Sequence, residues 1–305
     1  MIAQTIPVLD LSDFDANSSS DQNAAFATAL GDALADLGFF ALVNHGVEQR
    51  LIDMAYSAAE AFFALPEPTK TQYAIAHLKG QRGFTQFGKE HAKNSTAPDL
   101  KEFWHMGRKE NLWPKEVPQF QPVMTTLFQQ LETCASQLMR ACAQYLQQPD
   151  NFFYSQVAEG QTILRIIHYP PVSEDATPAS QRAAPHEDIN LITLLCEATT
   201  PGLELLRPDG KWLPIQTTPG QIIVDTGDML QSLSNGLLRS TTHRVVNPTS
   251  SRDRRFSMPF FVHPRPDFGL TPLSHCIEKT GGDPLYPDQT AGEYLQQRLQ
   301  EIGLA

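Results

Sequence analysis

Long hydrophobic runs are absent from this chain of 305 residues, and positive charge is scarce. Apolar runs are short, as around residues 191–196, whereas a membrane-spanning helix needs roughly 20 apolar residues. The first residues include neither a basic segment nor an extended apolar stretch, so we expect no secretory signal and no membrane partner. Lys and Arg number 23 against 34 Asp and Glu, a net charge of −11. Because such a surface repels phosphate backbones, we also expect no nucleic-acid partner.

Cysteine is scarce as well, with four residues that form no recognisable metal or disulfide pattern. None belongs to a C-x-x-C pair, and their spacing matches no zinc site. Cys134 and Cys142 fall on one face of a predicted helix, where they are expected to lie in the core. We therefore predict a reduced, cytoplasmic protein without structural disulfides.

The composition that is present, 41% hydrophobic and 19% charged, is typical of a globular protein. Apolar residues at helical spacing predict helices over 22–37 and 48–65. A continuous apolar stripe over 123–145 predicts a long helix packed against a sheet. Residues 70–118 are irregular and contain several Gly and Pro residues, which indicates a functional segment such as a lid.

Beyond residue 150 the apolar pattern changes to short β-rich runs separated by Pro, Gly, Asn and Asp. These runs are TILRIIHYPP, NLITLLCE, LELLRPDGKWLPI, GQIIVDTGDML, STTHRVVNP and RRFSMPFFVHP. Their close spacing predicts an antiparallel sandwich or barrel, with a hairpin turn at Asp209-Gly210 and a last helix over 291–302. The fold class is therefore mainly β with flanking α helices.

No flexible linker separates these regions, so we predict one integrated domain over residues 1–305. Its parts are an N-terminal helical and irregular part (1–118), a long supporting helix (119–148), a β core (160–265) and a C-terminal tail with a helix (266–305).

The motif His186-Glu187-Asp188 precedes a predicted strand. In extended backbone, side chains two residues apart point to the same side, so His186 and Asp188 can converge on one point. They would supply two ligands of a 2-His-1-carboxylate facial triad, which leaves three metal positions open. His243, on a later strand-like run, is the candidate third ligand. Taken alone, an H-x-D motif is more often a surface or turn feature, and His243 is more often a core or rim histidine.

The pair Arg255 and Ser257 shows the same i, i+2 spacing just before an apolar run. An Arg inside an apolar strand requires an anion, because an unpaired buried charge is costly. Its planar fork fits a carboxylate, and the serine hydroxyl adds a donor. The alternative is an exposed Arg in the basic cluster formed with Arg252 and Arg254.

Together, H-x-D, a distant His and R-x-S resemble the isopenicillin N synthase-like family of 2-oxoglutarate- and Fe(II)-dependent oxygenases. The resemblance covers nearly the full chain. It is carried also by IPVLDLSDF, GFFALVNHGV, DLKEFWHMGR, HYPP, HEDINLITLL and HRVVNP…RRFSMPFFVHP. It implies a distorted double-stranded β-helix (jelly-roll) barrel supported by N-terminal helices and a C-terminal helix.

By position, the resemblance implies that His186, Asp188 and His243 hold Fe(II). It likewise implies that Arg255, Ser257 and Tyr169 bind the distal carboxylate of 2-oxoglutarate, and that dioxygen is a further substrate. The implied reaction couples decarboxylation of 2-oxoglutarate to succinate with oxidation, by default hydroxylation, of a small molecule.

The sequence also departs from the family pattern. Ile167 stands where plant members often have Asn, so one cosubstrate contact is missing. The string HEDINLIT resembles isopenicillin N synthase itself, which uses no 2-oxoglutarate and places a substrate carboxylate on its R-x-S pair. An oxidase of that type, and a non-catalytic binding protein on the same fold, therefore stay open as alternatives. Phe84, Trp104 and Phe261 are candidates for the substrate mouth, while the substrate's identity and the oligomeric state cannot be predicted.

Overall fold

A computed structural model describes residues 5–15, 19–78, 80–91, 98–172, 181–216, 218–247 and 254–302. Its helices are α1 (Ser20–Asp36), α2 (Gln49–Phe63), α3 (Glu67–Thr71), α4 (Phe120–Tyr145), α5 (Tyr154–Val157), α6 (Asp228–Leu233), α7 (Ser274–Lys279) and α8 (Ala291–Glu301). The four helices predicted from the sequence correspond to α1, α2, α4 and α8, with ends that differ by a few residues. Among the described residues, no helix combines the length and apolar character that crossing a membrane requires.

Local sequence signals explain where the main helices begin and end. At the start of α1, Ser19 and Gln22 form a reciprocal capping box, which satisfies two backbone donors that the helix itself leaves free. The helix stops before Gly38, whose φ of 71° is a left-handed conformation that favours glycine. On α4, Phe128 packs edge-on against Phe260 of the sheet with ring centroids 5.0 Å apart. The stripe predicted on α4 therefore faces the sheet.

The strands form two sheets. They are β1 (Val8–Asp10), β2 (Phe39–Val43), β3 (Gly83–Thr85), β4 (Glu102–Gly107), β5 (Ile163–Tyr169), β6 (Ala183–His186), β7 (Ile192–Cys196), β8 (Leu203–Leu206), β9 (Trp212–Pro214), β10 (Ile222–Thr226), β11 (His243–Val245) and β12 (Arg255–Val262). The major sheet has the order β1-β2-β10-β7-β12-β5-β4-β3, and the minor sheet has the order β6-β11-β8-β9. All pairs are antiparallel except β1 with β2.

The two sheets face each other across an apolar layer, as in a jelly roll. Phe39 and Ile223 of the major sheet share one buried cluster with Leu205 and Leu213 of the minor sheet. The hairpin between β8 and β9 turns at Gly210, whose φ is 78°, so this part of the prediction is confirmed. The predicted fold class, a mainly β jelly-roll barrel with flanking helices, is confirmed as well.

The segment 70–118 differs from the expectation of an irregular lid. Residues Glu102–Gly107 form β4, a strand in which every residue is buried between β5 and β3. The Gly and Pro residues on both sides of this run concealed it, because they suggested turns throughout. Residues 92–97 lie outside the described ranges.

Candidate metal centre and its two cavities

The minor sheet brings the two candidate histidines together. His186 at the end of β6 and His243 at the start of β11 are direct cross-strand partners in the antiparallel register. Their ring centroids lie 4.4 Å apart, and Phe39 of β2 packs edge-on against His243. Residues that the chain separates widely therefore share one face of the sheet, which the sequence alone could not establish.

Asp188 completes a cluster in which one ligand atom from each residue lies within 4.8 Å of the others. Its Oδ1 is 3.7 Å from Nε2 of His243. The Nδ1 group of each histidine donates to a backbone carbonyl, of Ala184 at 2.7 Å and of Thr241 at 3.1 Å. These bonds leave both Nε2 lone pairs free for a metal, a common arrangement of metal-binding histidines. Burial, with the neighbouring His243, lowers the pKa of His186 and so favours its neutral, ligating form.

A second layer of polar groups holds Asp188. The Thr193 hydroxyl donates to Oδ2, and the Asp228 backbone N–H donates to the Asp188 carbonyl at 2.7 Å. Asp225 on β10 is buried, and burial together with the Asp188 charge raises its pKa well above the ordinary value. Asp225 lies on β10 and Asp228 begins α6, so a strand and a helix start place both of them beside the cluster.

An inner cavity of about 60 Å³ extends from the cluster to Arg255, Ser257 and Tyr169. Arg255 is 2% exposed and lies opposite Tyr169 in the β12–β5 register, with its guanidinium carbon 5.0 Å from the tyrosine ring centroid. Its Nε donates to the Thr200 carbonyl at 3.1 Å, whereas Nη1 has no partner. No carboxylate among the described residues pairs with this cation. Ile167, opposite Ser257, adds an apolar wall.

An outer cavity of about 100 Å³ lies on the other side of the cluster. His186 and Asp188 line both cavities, and so does Phe261, one of the predicted mouth residues. Phe84 and Trp104 line neither of them. Both pack against Phe62 in the hydrophobic core, with ring centroids at 5.8 and 4.8 Å, so the structure corrects the expectation for these two aromatic side chains.

The wall of the outer cavity carries a buried ion-pair network that the sequence analysis missed. Lys101 contacts Glu90 and Asp99, each at 2.8 Å, and Arg165 contacts the same oxygen of Glu90 at 3.0 Å. Burial alone would raise the pKa of Glu90, but Arg165 and Lys101 outweigh it and hold the pKa below the ordinary value. Next to the network, burial and Arg165 lower the pKa of His105 well below its ordinary value. No sequence signal marked this cluster, because Glu90 and Arg165 are 75 residues apart and look like ordinary surface charges.

Comparison with known proteins agrees with this geometry. Residues 160–264 match the model of the 2OG-Fe(II) oxygenase superfamily, and residues 6–126 match the N-terminal model named for the non-haem dioxygenase in morphine synthesis. A proline hydroxylase of Petromyces alliaceus is 31% identical over 95% of this chain and 97% of its own length. The chain belongs to the 2OG-Fe(II) oxygenase superfamily. It is accordingly an Fe(II)- and 2-oxoglutarate-dependent dioxygenase, as the resemblance in its sequence implied.

Solved structures of other oxygenases show the same fold. A family protein from Caulobacter crescentus is 41% identical, has a TM-score of 0.85, and the match covers 97% of this oxygenase and 98% of that chain. A Neurospora crassa protein solved in complex with alpha-KG and thymine is 28% identical with a TM-score of 0.87, and the match covers 97% and 96% of the two chains.

Proposed function

We propose that His186, Asp188 and His243 bind the Fe(II) of this oxygenase. Two imidazoles and one carboxylate are the donor set of the facial triad, which favours non-haem Fe(II) and leaves three positions for cosubstrate and dioxygen. The bonds from Nδ1 of each histidine and from Thr193 to Asp188 support this assignment, because they orient the donors before any metal arrives.

We propose further that Arg255 and Ser257, with Tyr169 beside them, bind the distal carboxylate of 2-oxoglutarate. The observation that carries this proposal is Arg255 itself, a buried cation with an unpartnered Nη1 and no anion among the described side chains. Such a charge is costly unless an anion compensates it. A dicarboxylate with one end at the metal and the other at Arg255 would supply that anion.

Bound iron and 2-oxoglutarate supply the activation of dioxygen, with release of succinate and carbon dioxide and oxidation of a second molecule. The chain's own residues bind, orient and enclose the reactants. Arg255 fixes one end of the cosubstrate, while Ile167 gives the inner cavity an apolar wall. The outer cavity is then the place for the molecule that is oxidised, which we propose to be small and to be hydroxylated.

Three further expectations from the sequence remain predictions. A cytoplasmic location is supported by four buried free cysteines. One integrated domain is supported by the position of β2 between β1 and β10 in the major sheet. The absence of a nucleic-acid or membrane partner is supported only by the acidic composition.

The roles of the inner cavity can be tested by an anaerobic titration with Fe(II) and then 2-oxoglutarate. We expect an absorbance band that requires both, and oxygen uptake that stops when 2-oxoglutarate is withheld. Equal oxygen uptake without 2-oxoglutarate would instead favour an oxidase of the isopenicillin N synthase type, in which Arg255 holds a substrate carboxylate.

A further inference from the structure

Strand β12 connects the two cavities through alternate side chains. Arg255 and Ser257 line the inner cavity, Phe261 lines both, and His263, one residue beyond the strand, lines the outer cavity. The i, i+2 alternation that reveals the R-x-S pair therefore continues to His263. In the sequence His263 has no neighbour at metal-ligand spacing, so no local pattern indicates its role.

His263 is a buried polar side chain without a partner. It is 7% exposed and forms no hydrogen bond through its ring with any described residue. Burial lowers the pKa of His263 to about 4, so the ring is neutral at physiological pH. Nδ1 is both buried and unpartnered, whereas Nε2 is not enclosed in this way, so we infer that Nε2 is the nitrogen that faces the cavity. Because an orphaned buried N–H is rarer than an orphaned acceptor, the proton belongs on Nε2.

The cations of the same wall are already paired. Lys101 contacts Glu90 and Asp99, and Arg165 contacts Glu90. Arg298 of α8 contacts Glu301 at 3.0 Å and Asp228 at 3.7 Å. Among the described lining residues, each Lys and Arg thus already contacts a carboxylate of the protein. The neutral N–H of His263 is a donor of the outer cavity that contacts no carboxylate.

The backbone holds His263 closely in place. Its carbonyl oxygen would lie 2.0 Å from a Cβ at Gly160, so only glycine permits this approach. The Thr162 hydroxyl donates to the same oxygen at 3.4 Å. The outer cavity has a volume of about 100 Å³, which favours a small bound molecule.

We propose that His263 is a specificity-determining residue that donates a hydrogen bond to a carbonyl oxygen of a small, uncharged substrate such as a lactam or cyclic imide. This inference rests on the proposed function, since it places the oxidised molecule in the outer cavity. It concerns binding of that molecule and adds no step to the reaction.

The first test uses the unmodified protein loaded with Fe(II) and 2-oxoglutarate under argon, with dissociation constants measured by calorimetry. The probes are 2-piperidone, its thiolactam, and pipecolic acid, with uracil and orotic acid as a second matched pair. We expect the carbonyl probes to bind at least about tenfold tighter than the thiolactam and than the acids, because a lost hydrogen bond leaves a buried group unsatisfied. Equal or tighter binding of the acids or the thiolactam, or no binding of any probe, overturns the proposal.

Two substitutions then assign the preference to His263. His263→Gln keeps an N–H donor and should retain the preference for 2-piperidone over its thiolactam, whereas His263→Phe keeps the aromatic bulk and should abolish it. Both variants should bind 2-oxoglutarate like the unmodified protein. An unchanged preference in His263→Phe overturns the assignment, and if both variants misfold the comparison in the unmodified protein decides alone. If the unmodified protein does not bind 2-oxoglutarate, the proposed function is contradicted instead. Failure of the His263 proposal and failure of the proposed function are therefore distinguishable.

Discussion

The inner and the outer cavity share His186 and Asp188 but differ in whether their buried cations are paired with carboxylates of the protein. The inner cavity contains a buried guanidinium, Arg255, that no described carboxylate compensates. Lys101 and Arg165, which line both cavities and belong to the wall of the outer one, already contact carboxylates of the protein. The difference indicates that an anion completes the first cavity, whereas the second is complete in charge and selects its ligand by shape and hydrogen bonding.

Replacing Asp188, which both cavities share, should have the largest effect. Asp188→Ala removes the only carboxylate of the proposed triad among the described residues, so we expect loss of Fe(II) binding and a fall of about 100-fold or more in succinate formation. Iron content after dialysis and succinate release measure the two effects. Asp267→Ala changes an exposed aspartate and is the control. Retention of stoichiometric Fe(II) by Asp188→Ala would contradict the assignment.

Breaking the ion-pair network tests the wall that carries it, since Lys101 and Arg165 line both cavities. Lys101→Met leaves Glu90 with Arg165 alone and Asp99 without this cation, and breaking a buried pair typically costs about 3–5 kcal/mol of unfolding free energy. Urea unfolding measures the loss. Arg254→Met breaks only the exposed pair with Glu60 and should cost no more than about 1 kcal/mol. Equal losses in the two variants would show that the network contributes nothing beyond a surface pair.

Removing the inner cation should weaken cosubstrate binding without affecting the metal. Each hydrogen bond to a charged group contributes about 1.5–3 kcal/mol, so Arg255→Ala should raise the KM for 2-oxoglutarate roughly tenfold or more. The neighbouring Arg254 is exposed, and Arg254→Ala is the matched control for loss of positive charge. Steady-state kinetics at saturating Fe(II) separate the two variants. If the KM of Arg255→Ala is unchanged, Arg255 has another role.

The H-x-D and R-x-S pairs were predictable because each follows a local rule, whereas the buried ion-pair network was not. H-x-D and R-x-S each place two side chains on one face of a single strand, so the pattern is visible within three residues. The register that sets His243 opposite His186 depends on strand pairing, and only the likeness to a family supplied it beforehand.

The network of Glu90, Lys101 and Arg165 has no such local signature. Its members lie on separate segments, and charged residues are exposed by default, so a sequence gives no reason to bury them. The prediction that the aromatic residues line the substrate mouth was wrong for the opposite reason. Phe84 and Trp104 have the composition of a pocket wall, but β3 and β4 direct their side chains into the core around Phe62.

The smallest expected effect is the pH dependence of stability. It tests whether the charge of Glu90, in the wall of the outer cavity, contributes to the unfolding free energy. The pKa of Glu90 is lower in the folded protein than its ordinary value of about 4.3, so its stabilising contribution is fully present above that value and is lost as the pH falls. One such carboxylate changes the unfolding free energy by at most about 1.4 kcal/mol per pH unit.

Lys101→Met weakens this contribution, so the stability gap between it and the unmodified protein should narrow as the pH falls from about 5 to 3. The gap for Arg254→Met should change far less, because its partner Glu60 is exposed. Urea unfolding at several pH values measures both gaps. A gap for Lys101→Met that is constant with pH would mean that packing of the lysine side chain, rather than its charge, stabilises the wall of the outer cavity.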